Sequence, residues 1–259
     1  MKERLREADG VDPDDVVMDP DTARRRGLTG AAVFPVGNLA PGGSVVKATS
    51  IDPSVIEGNV YRHRGPARVF STEAAAVAAI KGLAEPAVRP GDVVVMAGLG
   101  PRGTGMEETY QVTSALKFLP WGKSVAVLTD ARFSGVSTGA CVGHVSPEAL
   151  SGGPIGKLRD GDLVEIVIDT AALVGSVDLV GTAGGPLSAT EAAELLDSRP
   201  PHPDLAPRPD LPGDTRLWAL LQEASGGIWA GCVYDPDRIA EAVPPAPARI
   251  RRQNESDTP

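Results

Sequence analysis

Apolar positions along the chain fall into short runs separated by glycine-rich turns, a pattern that predicts strands rather than long helices. The runs Ser44 to Thr49, Ala67 to Phe70, Asp92 to Gly98, Ser124 to Thr129 and Asp162 to Ile168 are each the length of one strand. Between them, Thr72 to Leu83 is alanine-rich behind a capping Ser71, and Glu107 to Leu119 carries helical spacing. The alternation predicts a mixed α/β domain. Its thirty glycines and loop-joined strands favour a barrel-like sheet with helices packed around it over a doubly wound sheet.

The pattern changes at both ends. Residues 1–30 are charged, with a helical stretch from Lys2 to Ala8 that has little apolar face, and read as a leader or interdomain linker. Residues 31–185 form the predicted body. In residues 186–243, Ser188 and Glu191 make a capping box for a helix to about Ser198, followed by the proline-rich connector RPPHPDLAPRPDLPG. A second helix, Thr215 to Ala224, carries Leu217, Trp218, Leu220 and Leu221, so this region reads as a small helical appendage. Residues 244–259 have the composition of a disordered tail.

A net charge of -9, with no basic run longer than Arg24-Arg25-Arg26, argues against nucleic acid or an anionic membrane as partner. No apolar run approaches the ~20 residues that cross a bilayer, and the charged start lacks the apolar core of a secretory signal, so a cytoplasmic location is expected. The two cysteines, Cys141 and Cys232, read as free thiols in a reducing compartment. An iron–sulfur cluster typically takes about four thiolate ligands, and two cysteines far apart in sequence do not supply that spacing.

Four stretches hold more glycine and polar residues than a core needs: FPVGNLAPGGSVVK, GLGPRGTGMEETYQVTSAL, TDARFSGVSTGACVGHVSPEA and GGPIGKLRDGD. Each adjoins a predicted strand, where binding groups are displayed on a rigid scaffold, although tight turns would look the same. Glu107 and Glu108 at a helix start serve either as a dipole cap or as a metal ligand. Ser134 sits on a glycine-flanked turn, but the pattern is not Gly-x-Ser-x-Gly and only His144 lies nearby in sequence, which disfavours a serine hydrolase. His144, the turn Asp160-Gly161-Asp162 and the three tryptophans read as architectural.

The ordered blocks VGNLAPGGSVVK, GPARVF, GPRGTGMEETYQVTSAL and TDARFSGVSTGACVGHVSPEALSGGPIGKLRDGDLVEIVID resemble the C-terminal domain of the dihydroxy-acid and phosphogluconate dehydratase family. GTGMEETYQVTSALK and SGGIWAGCVYD look most like its sugar-acid branch, the xylonate-type pentonate dehydratases. The resemblance runs from about Gly27 to Ala242. It implies a swivelling β/β/α domain, a barrel-like sheet flanked by helices, that closes over a larger N-terminal half. It also implies a hydro-lyase acting on a sugar acid, with that half supplying an iron–sulfur cluster and most ligands of a magnesium ion (Mg2+), and a homo-oligomer when complete.

The resemblance carries roles onto particular positions. Glu108 matches the magnesium-ligating glutamate, with Glu107 at the variable position. Ser134 matches the serine that acts as base. Gly135, Ser137 and Thr138 are then expected to shape the substrate pocket, with Gly139 beside them. A serine acts as a base only where its ionised form is stabilised, so cations or backbone donors should stand near Ser134. The rival expectations are a non-catalytic remnant or binding module that keeps the fold, and a magnesium-dependent lyase acting unaided, for which one ligand is too few.

Overall fold

The computed structural model describes residues 2–13, 18–26, 30–229 and 233–243. Two short helices, α1 (Lys2–Asp9) and α2 (Pro20–Arg25), precede the body. Cys232 and the tail 244–259 lie outside the described residues.

The body is a ten-stranded sheet. Its strands are β1 (Ala32–Val33), β2 (Val45–Lys47), β3 (Ile56–Glu57), β4 (Val60–Phe70), β5 (Val93–Met96), β6 (Ala126–Thr129), β7 (Cys141–Gly143), β8 (Leu163–Asp169), β9 (Val174–Thr182) and β10 (Gly185–Pro186). The spatial order is β1-β2-β7-β6-β5-β4-β8-β9-β10, with β3 paired to β4. β4, β5, β6 and β7 run parallel and the other pairs are antiparallel.

The sheet curls until its two sides meet. Just after β1, the Val36 N–H donates to the Gly175 carbonyl at 3.2 Å and the Val36 carbonyl accepts from Val177 at 3.0 Å, joining the first strand's continuation to β9. Asn38 fastens the seam with its amide, donating to the Leu179 carbonyl at 3.0 Å and accepting from the Leu179 N–H at 2.7 Å. Gly37 is required there, because a Cβ would collide with the Val177 carbonyl. The result is the barrel-like body flanked by helices that the sequence pattern predicts.

Both faces of β5 and β6 are covered, which is why they read as unbroken apolar runs. Val93, Val95, Ala126, Leu128 and Val142 point into the barrel with Val164, Ile166, Ile168, Val177 and Leu179. Val94, Met96, Val127 and Cys141 face outward under α3 (Glu73–Ile80) and α5 (Tyr110–Lys117), against Ala76, Ile80, Val112 and Leu116. Cys141 is therefore a core thiol, and burial pushes its pKa up to about 12. A short helix, α4 (Pro101–Thr104), follows β5.

Several boundaries differ from the pattern. Thr72, not Ser71, caps α3, its hydroxyl accepting from the Ala75 N–H. Helix α5 starts at Tyr110 rather than Glu107. The reason is that the Thr109 N–H is taken by the Arg132 carbonyl at 3.0 Å, which holds residues 107–109 ahead of the helix. Consequently Glu107 and Glu108 do not cap it; the Glu73 carboxylate does, accepting from the N–H groups of Gln111 and Val112.

The appendage comprises α6 (Ala189–Ser198), α7 (Gly213–Ala224) and α8 (Pro236–Ala242). The Ser188–Glu191 capping box forms as expected. Its proline-rich connector is tied to the body: Arg199 forms a bidentate pair with the buried Asp162, Leu205 packs on the barrel core, and the Arg208 N–H donates to the Gly103 carbonyl at 2.9 Å.

Candidate active site

In open parallel sheets, ligands bind beyond the carboxyl ends of the strands, where chain reversals leave loops clustered. β4 leads there to Glu73, β5 to residues 97–109, β6 to residues 130–140 and β7 to His144. The two loops that carry Glu108 and Ser134 thus leave neighbouring strands and are joined to each other. Glu108 makes a parallel bridge with Arg132, and Thr109, fully buried, binds the Arg132 carbonyl through its N–H at 3.0 Å and its hydroxyl at 3.2 Å. Ser134 lies two residues further on.

Ser134 opens a tight turn. Its hydroxyl accepts from the Val136 N–H at 3.3 Å, and its carbonyl accepts from the Ser137 N–H at 2.9 Å. Lys47, at the end of β2, donates to the Gly135 carbonyl at 2.6 Å and so fixes the exposed tip. The half-buried Ser134 therefore has one backbone donor on its hydroxyl and a cation one residue away. Lys47 ends the block VGNLAPGGSVVK, and only the sheet order, which seats β2 beside β7, shows that it reaches this loop.

The expected pocket residues do not share one environment. Gly135 is exposed at the tip. Ser137 is buried with its hydroxyl accepting from Thr113 of α5 at 3.3 Å, which anchors the loop. Thr138 and Gly139 line a separate cavity of about 600 Å3 with Ser50, Lys117 and Lys123.

The two glutamates diverge. Glu107 is ion-paired with Arg208 of the connector at 2.9 Å. Glu108 is exposed and makes no side-chain hydrogen bond or ion pair among the described residues, which leaves both carboxylate oxygens available to a hard cation. Both acids, after burial, help to raise the pKa of Glu73. Among the described residues no group of three or more His, Cys, Asp or Glu could hold a metal on its own. Glu108 fits as one oxygen ligand of a site completed by other groups, whereas the buried Cys141 does not fit a cluster.

Two buried acids that composition does not single out hold the loops in place. Asp130 accepts from the N–H groups of Gly98, Leu99 and Ala149 at 2.9–3.0 Å, and burial raises its pKa. Glu148, fully buried, accepts from the Arg102 N–H at 2.9 Å and from the Ser151 hydroxyl at 3.3 Å. Burial, reinforced by the Asp130 carboxylate, pushes Glu148 up to about 7. A carboxyl that keeps its proton to higher pH when folded makes folding weaker as pH rises from the ordinary value of 4.5 to about 7, on the order of 3 kcal/mol in all. Glu148→Gln keeps an acceptor for Arg102 without the charge. Its melting temperature is expected to fall less than that of the unaltered chain between pH 5 and pH 8; parallel profiles would show that Glu148 does not titrate in that window.

His144 has φ 54° and sets its ring edge-on to Phe133, with centroids 5.8 Å apart. Burial and then the nearby Arg132 charge lower its pKa, which favours the neutral imidazole. No helix among the described residues is long and apolar enough to cross a membrane.

A profile of the dihydroxy-acid/6-phosphogluconate dehydratase C-terminal domain matches residues 21–183. The chain belongs to this family. The chain is 58% identical over 244 residues to the D-xylonate dehydratase YagF of Escherichia coli (strain K12), which covers 94% of this chain but 37% of that protein. The chain thus spans little more than a third of that relative's length. It is also similar to the dihydroxy-acid dehydratases of Halothermothrix orenii, at 51% identity over 53% of this chain and 24% of that protein, and of Roseiflexus castenholzii, at 44% over 77% and 32%.

Proposed function

We infer that the chain is the C-terminal part of a hydro-lyase that dehydrates a sugar acid, an aldonate such as a pentonate, to a 2-keto-3-deoxy acid. The observation that carries this reading is the junction of the two family motifs. The Glu108–Arg132 backbone bridge joins the loop of Glu108 to the loop of Ser134, beyond the carboxyl ends of adjacent parallel strands, which supports a shared site. The 58% identity to a D-xylonate dehydratase supports the sugar-acid branch.

In this reading Ser134, ionised, takes the proton from carbon 2 of the acid. The electron pair of that C–H bond becomes the carbon 2–carbon 3 double bond, the hydroxyl at carbon 3 departs with a proton as water, and the resulting enol tautomerises to the 2-keto acid. The Val136 N–H and the charge of Lys47 favour the ionised serine. Glu108 would hold a magnesium ion, whose chemistry is to chelate and polarise the carboxylate end of the acid. An iron–sulfur cluster would be held by residues beyond this domain.

The apolar side chains of Tyr110 and Val136, 47% and 69% exposed, stand beside Glu108 and Ser134. An apolar margin round a polar centre fits a face that closes against a larger N-terminal half. The test is to express the chain alone and together with that half, and to measure 2-keto-3-deoxy acid formed from D-xylonate. Product is expected only from the combination. Turnover by the chain alone, with bound iron and sulfide, would contradict the need for a second half, and no product from either would favour a non-catalytic binding module.

A further inference from the structure

We propose that the first turn and a half of α7 forms a specificity wall of the active site, with Asp214, Thr215 and Trp218 binding the hydroxylated far end of the sugar acid. This rests on the sugar-acid dehydratase reading and adds to it residues from outside the family-matched body.

Three observations carry it. A cavity of about 500 Å3 opens between the appendage, the loop that carries Glu108 and the end of β7, lined by Pro101, Gly105 and Met106 from one side, His144 from another and Asp214, Thr215 and Trp218 from α7. Met106 lies two residues before Glu108, and His144 packs on Phe133, which precedes Ser134, so the lining is continuous in sequence or contact with both motifs although neither Glu108 nor Ser134 lines the cavity itself. A ligand held at Glu108 and Ser134 would extend into it.

The segment around α7 is also fastened here. Arg208 pairs with Glu107 and Arg102 pairs with Glu223 at 3.0 Å, and a Cβ on Gly105, whose φ is 72°, would come within 2.6 Å of the Thr215 methyl. α7 therefore lies against the loop that carries Glu108. Finally, the profile common to the family stops at residue 183, before α7, whereas the match to the D-xylonate dehydratase covers too much of the chain to omit it.

The lining suits a polyol. An indole face accepts the C–H side of a sugar chain, while a carboxylate accepts hydrogen bonds from secondary alcohols and a hydroxyl and a neutral imidazole can each donate and accept them. Sites built to bind substrate hydroxyls discriminate strongly against analogues that lack them. A short 2,3-dihydroxy acid would leave this cavity empty.

The test uses the complete dehydratase holoenzyme with Trp218→Ala and, separately, Asp214→Asn, an exposed position whose change leaves the core intact. KM for D-xylonate is expected to rise about tenfold or more for Trp218→Ala and less for Asp214→Asn, with kcat kept within about threefold. The dissociation constant of D-glycerate, which has the carboxylate and two hydroxyls but no tail, should change by less than about twofold. Unchanged KM in both variants, or a proportional loss of D-glycerate binding, would overturn the proposal and point to α7 as a structural support or a contact with the N-terminal half. If the unaltered holoenzyme does not dehydrate D-xylonate, the functional reading itself fails and the subsite falls with it.

Discussion

Replacing Ser134 with alanine is expected to lower kcat of the complete dehydratase by at least ~10²-fold, the usual contribution of a general base, while substrate affinity stays within a few fold. The change deletes one hydroxyl from a half-buried turn outside both cores, and the turn's backbone bond from Ser137 to the Ser134 carbonyl does not need it. Folding should survive: a melting temperature within a few degrees of the unaltered protein would confirm that chemistry, not stability, was lost. A variant that kept its rate would place the base elsewhere, and one that lost binding and rate together would make Ser134 a substrate contact.

The second large effect is expected at Glu108. Glu108→Gln removes the charge from a motif carboxylate that has no partner among the described residues, so magnesium binding and turnover should both fall by at least about tenfold. Glu107→Gln should matter much less, because that carboxylate is occupied by Arg208 and its loss weakens only a partly exposed ion pair, worth ~1 kcal/mol or less. Titration with magnesium, read by activity and by calorimetry, separates them. Equal losses from the two changes would mean that the carboxylates share the metal.

Much of the scaffold was legible because its strands obey simple rules. Val93 to Met96 and Ala126 to Thr129 are buried on both faces, so an unbroken apolar run marks each as a parallel strand. The sequence pattern marks β4 only from Ala67, since its first half, Val60 to Pro66, carries Arg62, His63, Arg64, Gly65 and Pro66 and looks like a loop. What makes it a strand is seven paired positions with β8, a contact between residues about a hundred apart. β9 was missed likewise: Gly175, Ser176 and Gly181 hide a strand that β8 and the Val36 seam organise.

The candidate site divides the same way. Glu108 and Ser134 come from motif resemblance, and the structure brings their loops together through Arg132. Glu107 and Glu108 look like a helical first turn in sequence because nothing local reveals that Arg132 takes the Thr109 N–H or that Glu73, from a different helix, caps α5. Lys47, Asp130 and Glu148 do not stand out in the sequence for one reason: each acts through a partner distant in sequence. Ser137 shows the converse, a polar loop residue whose hydroxyl turns inward to Thr113.

Isotope exchange shows whether Ser134 of this domain removes the proton at carbon 2. The complete holoenzyme is incubated with D-xylonate in deuterated water, and the remaining substrate is examined for deuterium at carbon 2, alongside deuterium at carbon 3 of the product. When proton removal is reversible, exchange at carbon 2 is expected for the unaltered enzyme and none for Ser134→Ala. Exchange at near the unaltered rate in Ser134→Ala would contradict it and assign the base to another residue.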